Sequence, residues 1–427
     1  MKLRTRPGLR PSLLSLALLV AGSAFAETNP YYLGVVQSLG HEANLYRIGD
    51  NQTLPAGLSK SDTLSATSLI GGIDQNIGRQ RVYGSLNLKA NRYANNKTLN
   101  NQSYGLNLAA DWSTIERWSG TVSLAADQSL AQFNNRSGSG NTIELKKNII
   151  NTAQADAQVQ LGLVTQYSLE AALGYRRVNY SAIEYQRSEY QQTSGSLGLR
   201  YRPRTALDLG VALRLTQAKY PRFVYDSASQ TWLADTLSRR DIDFTAIWVP
   251  NAISTVNLRL SPTHSAYDRN TGSNFSGLTG SVNWLWQATG KSRLNSTLWR
   301  DTGQSSYATS LGFGQPGVVD YSQIVTSLRF KAEQDVTGKI AATATATYAR
   351  RGLVDTVRAP LLGTSSSSSN SGNDNTVTLA LGGKWSITRS AQVGCDLSRE
   401  QRNASNPQIS VPLHGNSVSC YGQVVLQ

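Results

Sequence analysis

Gly312-Phe313-Gly314-Gln315-Pro316-Gly317 has the GxGxxG spacing that lets backbone amides approach a pyrophosphate at a helix N-terminus. That chemistry needs a strand before the glycines and a helix after them. Pro316 and a strand-like Ser322 to Ala332 follow instead, so the segment reads as an external loop. His264-Ser265 sets a base beside a hydroxyl, as a barrel hydrolase attacking a phospholipid ester would need, but no GxSxG elbow and no orienting acid accompany it. The soft metal ligands are Cys395, Cys420, His41, His264 and His414, and their spacing matches no zinc finger. The chain therefore reads as a non-enzyme without catalytic residues, metal or cofactor.

What remains is a set of charged and aromatic residues recurring at every second position. From Val82, one parity reads Val82, Gly84, Leu86, Leu88, Ala90 and the other Tyr83, Ser85, Asn87, Lys89, Asn91, the period of a strand with one apolar and one polar face. The alternation recurs through Tyr104 to Trp112, Ala153 to Leu161, Leu207 to Leu215, Leu278 to Trp286, Ile340 to Tyr348, Val377 to Trp385 and Val418 to Leu426. Short connections, such as Asn76 to Gln80 and Pro250 to Ala252, alternate with longer ones, such as Ala131 to Lys147, Lys219 to Arg239 and Arg350 to Asn373. Short periplasmic turns opposite long external loops predict an all-β, antiparallel transmembrane barrel of about 18 strands (16 to 18). A Greek-key sandwich would scatter its loop lengths.

Composition agrees. Charged residues are 16% of the chain, below the usual share of a soluble domain, and with two cysteines in 427 residues the protein is no disulfide scaffold. No stretch reaches the roughly 18 to 20 apolar residues of a spanning helix. Residues 1–26 read as a signal peptide, with a basic leader, an apolar Leu13 to Val20 and the small-x-small Ala24-Phe25-Ala26, leaving residues 27–427 as a single barrel domain of the outer membrane. Lys2, Arg4, Arg6 and Arg10 belong to the leader, so the 41 basic and 27 acidic residues become 37 and 27, a net charge of +10. Export to the envelope makes nucleic acid a poor partner and directs that excess toward acidic sugars or outer-membrane lipid.

Parity assigns each residue a side. Trp112, Trp118, Tyr167, Tyr201, Trp248, Trp286 and Trp385 share the apolar parity near short turns, as a girdle at one membrane interface would. Inward parity holds Lys89, Arg200, Arg214, Arg259 and Arg329, together with acids such as Asp111, Asp156, Glu170, Asp208, Asp243, Glu333 and Asp396, so ion-pair ladders compete with a mild anion preference. Tyr83, Trp299 and Tyr421 are inward and able to stack on sugar rings, though too few for a track. The Ser365 to Ser369 run reads as a solvated loop. Cys395 and Cys420 share the outward parity, and a hairpin centred near residues 407 and 408 would set them opposite, within reach of a disulfide.

Two segments carry a family resemblance. His41-Glu42-Ala43-Asn44-Leu45-Tyr46-Arg47 resembles the "acidic, x, Asn-Leu-aromatic-Arg" segment closing the first strand of the EpsL-type exopolysaccharide-operon β-barrel proteins. Leu397-Ser398-Arg399-Glu400-Gln401-Arg402-Asn403 and Gln423-Val424-Val425-Leu426-Gln427 are similar to that family's last hairpin, although Leu426-Gln427 replaces the usual terminal aromatic of outer-membrane barrels. The resemblance implies a channel exporting an exopolysaccharide alongside periplasmic and inner-membrane synthesis and export proteins. A general or sugar-uptake porin and a non-conducting scaffold of the polysaccharide machinery are the alternatives.

Overall fold

The computed structural model describes residues 29–133, 145–164, 166–226, 229–269, 273–302, 310–311, 315–316, 322–361, 364–407 and 410–426. The first half contributes β1 (Tyr31–Glu42), β2 (Asp62–Ile77), β3 (Gln80–Tyr93), β4 (Asn101–Ser113), β5 (Trp118–Leu130), β6 (Ile149–Val164), β7 (Tyr167–Tyr180), β8 (Tyr190–Arg204) and β9 (Leu207–Asp226). Then come β10 (Thr231–Asn251), β11 (Ser254–Tyr267), β12 (Phe275–Gln287), β13 (Ser292–Asp301), a two-residue pairing of β14 (Ser310–Leu311) with β15 (Gln315–Pro316), β16 (Ser322–Asp335), β17 (Ile340–Leu361), β18 (Thr364–Ser386), β19 (Ala391–Ala404) and β20 (Leu413–Leu426). All but β14 and β15 form one 18-stranded antiparallel sheet, which closes where β1 pairs with β20 from Leu33 opposite Leu426 to Glu42 opposite Ser417. Closure satisfies the edge amides and carbonyls that lipid could not.

Side-chain alternation decides which face meets lipid. Leu33, Val35, Leu88, Leu124, Leu173, Leu213, Leu278 and Leu397 are all exposed, and the residues paired across neighbouring strands keep them on one outer surface. An exposed apolar surface of this extent is stable only against a bilayer, so the barrel is of the outer-membrane type. At the turn end, Trp118, Tyr167, Trp248, Trp286 and Trp385 are exposed on that outer face. Tyr201 stacks on Tyr167 with ring centroids 4.8 Å apart, and Trp284 joins Trp286 at 5.5 Å. Trp112 lies over Gly120, where a Cβ would come within 2.8 Å of the indole. In the two-residue turn between Ile77 and Gln80, Gly78 takes a left-handed φ of 64° that a side chain would resist.

Three expectations change. The connections expected at Lys219 to Arg239 and Arg350 to Asn373 are largely strand: β9 and β10 pair out to Asp226 and Thr231, and β17 and β18 to Leu361 and Thr364. The serine run is therefore paired backbone, with Ser367 opposite Arg358. Polar hairpins projecting past a membrane have no lipid face and so lose the hydrophobic alternation that marks strands. His264 and Ser265 are adjacent on a strand, His264 exposed and Ser265 buried on the opposite face, so they cannot act on one substrate as base and nucleophile. The expected leader and most of the GxGxxG segment fall outside the described residues.

Cys395 and Cys420 are register partners on the outer face, joined in a disulfide with Cα atoms 4.0 Å apart. With the two cysteines 25 positions apart in sequence, the chain-entropy account assigns the bond roughly 3 to 4 kcal/mol. Mass spectrometry of the protein, alkylated without reductant, should find neither thiol labelled. The Cys395→Ser/Cys420→Ser variant should change gel mobility on heating at a lower temperature. Two labelled thiols in the wild type would reject the bond.

Candidate functional site: the lumen and its mouth

The inner surface divides into an open wall and a filled one. On β3, Ser85, Leu86, Asn87 and Leu88 are all exposed, and so are Leu106, Asn107 and Leu108 on β4 and Cys395, Asp396 and Leu397 on β19. Consecutive exposed residues mean that both faces of the strand are open, one to lipid and one to an aqueous interior, as a sheet this wide permits. Lys89 projects into this open side and forms no ion pair among the described residues; Arg329, on β16, forms none either.

The wall from β7 to β13 is bridged by charge. Arg200 contacts Glu170 at 2.8 Å and Asp208 at 3.1 Å, and Arg202 reaches Asp208 at 2.6 Å. Farther toward the loop end, Arg214 pairs with Asp243 at 3.0 Å and Asp241 at 3.4 Å, while Arg259 lies between Asp243 at 3.7 Å and Asp301 at 3.3 Å. Arg239 joins them, 2.8 Å from both Asp241 and Asp301. Its guanidinium spans from β10 to β13 past a row of small inward residues on the intervening strands, Ser261, Thr263, Gly277 and Thr279. Thr263 donates to Asp241 at 2.5 Å, and Arg239 also donates to Thr302 at 2.9 Å. Arg200, Arg214 and Arg259 are thus inward as expected but already matched to carboxylates, and only Lys89 and Arg329 of the five basic candidates present unpaired charge among the described residues.

The three inward aromatics are also committed to the wall. Trp299 is buried. The Arg81 guanidinium lies over Tyr83, 4.7 Å from the ring centroid. Tyr421 lies across Gly394, where a Cβ would come within 2.6 Å of the ring, so one face is packed and the other looks into the lumen.

At the loop end, residues 43–61 between β1 and β2 turn inward over the mouth. Asn44 organises the turn: its carbonyl oxygen accepts from the Ile48 amide at 3.1 Å, and its amide donates to the carbonyl oxygens of Ile48 and His414 at 2.8 and 3.0 Å. Tyr46 is fully buried against Phe133, with centroids 4.7 Å apart, beside Leu45, Ile48, Tyr93, Leu99 and Leu130. Burial pushes its hydroxyl above the ordinary phenol range, so it stays a donor, 3.1 Å from Asn96. Arg47 adopts a left-handed φ of 54°, a costly backbone for a side-chain-bearing residue, and its guanidinium pairs with inward-facing Glu400 of β19. A pocket at this point is lined by Glu42, Arg47, Tyr93, Thr378, Glu400 and Leu413. The two segments that carry the family resemblance therefore meet, at Arg47 and Glu400. Neither Arg47 nor Arg239 stands out in the sequence as a site residue: Arg47 enters only through the family-like segment, and Arg239 ends a stretch that reads as loop, where the signal for the network was Arg239, Asp241 and Asp243 on one parity.

No protein-family profile matches the sequence, and no curated protein does. Among solved structures, the chain is similar to the outer membrane protein OpdK of Pseudomonas aeruginosa, at 10% identity and a TM-score of 0.44, covering 93% of this chain and 99% of that one. It is also similar to the siderophore receptor PiuA of Acinetobacter baumannii, at 8% identity and a TM-score of 0.42, covering 94% and 82%. Likenesses this distant transfer no residue role.

Proposed function

We propose that the protein is a passive outer-membrane channel for small hydrophilic solutes, including sugars, with a mouth narrowed by residues 43–61. The observation that carries this reading is the pairing of an open, polar lumen wall on β3, β4 and β19 with an inward-folded segment held by Arg47 and Glu400. A narrowed mouth and a charge-bridged wall suit selection by size more than passage of a bulky chain. Lys89 and Arg329 are the inward cations left to contact an anionic solute.

Export of an exopolysaccharide is the second reading, favoured by one observation: the two family-like segments converge on a built feature of the mouth. Under it, an acidic polymer would meet Lys89, Arg329 and the free face of Tyr421, delivered by periplasmic and inner-membrane synthesis proteins. Reconstitution separates the readings. Vesicles containing the mature protein should swell in mono- and disaccharides but not in a long dextran, and planar bilayers should show discrete conductance steps. Absence of conductance would leave only the scaffold role. Loss of surface polymer on gene deletion, with unchanged sugar uptake, would transfer the assignment to export.

A further inference from the structure

The net positive charge is not concentrated in the lumen. Within the barrel wall, every described carboxylate lies on the inward parity, from Glu42, Asp111 and Glu170 to Asp396 and Glu400. The charges that project outward at the loop end are basic: Arg92, Arg177, Lys219, Arg240, Arg300, Arg350 and Arg399, all exposed, and none in an ion pair among the described residues. Their level is set by the strands. Arg300 and Arg399 lie eight residues beyond the first residue of their strands, Arg177 and Arg350 ten, and Arg92 and Lys219 twelve. A strand rising about 3.4 Å per residue and tilted by about 40° climbs roughly 2.6 Å per residue, which puts the ring some 21 to 31 Å above the turn end. The apolar band of such a barrel is about 25 Å tall, so the ring sits where acyl chains give way to headgroups. Tyr175 and Tyr348, exposed on the outer face two residues below Arg177 and Arg350, mark the same boundary.

Two stretches of the ring share one construction. Arg300 is register partner to Thr326, and Thr326 to Arg350; likewise Arg177 pairs with Gln191, and Gln191 with Lys219. Each row sets two cations two strands apart, roughly 10 Å, with a hydrogen-bonding side chain between them. In the first row, Arg300 donates to Thr326 at 3.2 Å, which holds the guanidinium along the surface. Six of the seven cations are arginine, whose planar fork matches phosphate oxygens in pairs.

We propose that these rows dock the phosphate groups of lipid headgroups in the leaflet at the loop end, so that the barrel carries a shell of phosphorylated lipid there. The inference concerns the outer face and is independent of what passes through the lumen. The test uses the full mature protein in detergent with lipid A, its dephosphorylated form, or inorganic phosphate, with bound lipid counted by native mass spectrometry. Lipid A should be retained, its dephosphorylated form released, and inorganic phosphate should fail to displace it. Each basic residue near an anionic lipid surface is worth roughly fivefold in affinity, so Arg300→Ser/Arg350→Ser should weaken retention at least about tenfold, while Arg300→Lys/Arg350→Lys keeps most of it. Unchanged conductance and heat-dependent gel mobility show that each variant is folded. Equal retention of the two lipids, retention unaffected by the serine pair, or displacement by inorganic phosphate alone would each overturn the proposal.

Discussion

Asp241→Ala should destabilise the barrel by about 3 to 5 kcal/mol, the largest effect expected of any single lumen substitution. Asp241 is fully buried and accepts three hydrogen bonds from Arg239, from Nε at 3.0 and 2.9 Å and from Nη2 at 2.8 Å, as well as one from the Thr263 hydroxyl. Arg239 is itself only 5% exposed, so alanine leaves a desolvated guanidinium with Asp301 and Thr302 alone. The cost is that of a stranded charge, which exceeds the net worth of the intact pair. Asp241→Asn keeps an acceptor and the side-chain shape and should cost less. Urea unfolding in lipid vesicles, followed by tryptophan fluorescence, measures both. A loss under about 1 kcal/mol for alanine, the range of an exposed pair, would mean that water reaches the network and that the wall from β10 to β13 is open.

Arg47→Ala should release the mouth. Glu400 and the arginine itself are largely buried, at 12% and 10% side-chain exposure, and Glu400 keeps Arg402 at 3.7 Å, so losing Arg47 removes about 1.5 to 3 kcal/mol from the docking of residues 43–61. That shifts the balance between docked and undocked segment by a factor of roughly ten to a hundred. Single-channel recordings should show a higher conductance level and passage of larger sugars. Glu400→Gln should act in the same direction and more weakly, since Gln still accepts a hydrogen bond. Wild-type conductance in Arg47→Ala would assign the docking to Asn44 and Tyr46 and deny Arg47 any part in gating.

Much of the barrel was legible because lipid imposes a period of two on every strand: the sidedness of Lys89, Arg214, Trp299 and the girdle residues followed from parity alone. The cysteine register followed from two positions symmetric about one hairpin. Charge pairing did not follow, because Asp301 meets Arg239 across two intervening strands, and that neighbourhood depends on which residues there are small. The mouth was hidden for another reason. Residues 43–61 obey no period, and their order comes from contacts with Asn96, Phe133 and Glu400, each distant in sequence.

The Cys395–Cys420 bond carries information about time. Both sulfurs face outward among Val393, Leu397, Val418 and Val424, at a depth where acyl chains surround the barrel. A water-soluble oxidant works in the periplasm and has no access to that depth, so oxidation has to precede insertion. The final hairpin must then reach the membrane already covalently locked in register, with β20, the strand that meets β1 at the seam, along its outer edge. The chain would thus begin its assembly with the piece it needs last, a preformed edge on which the first strand can close.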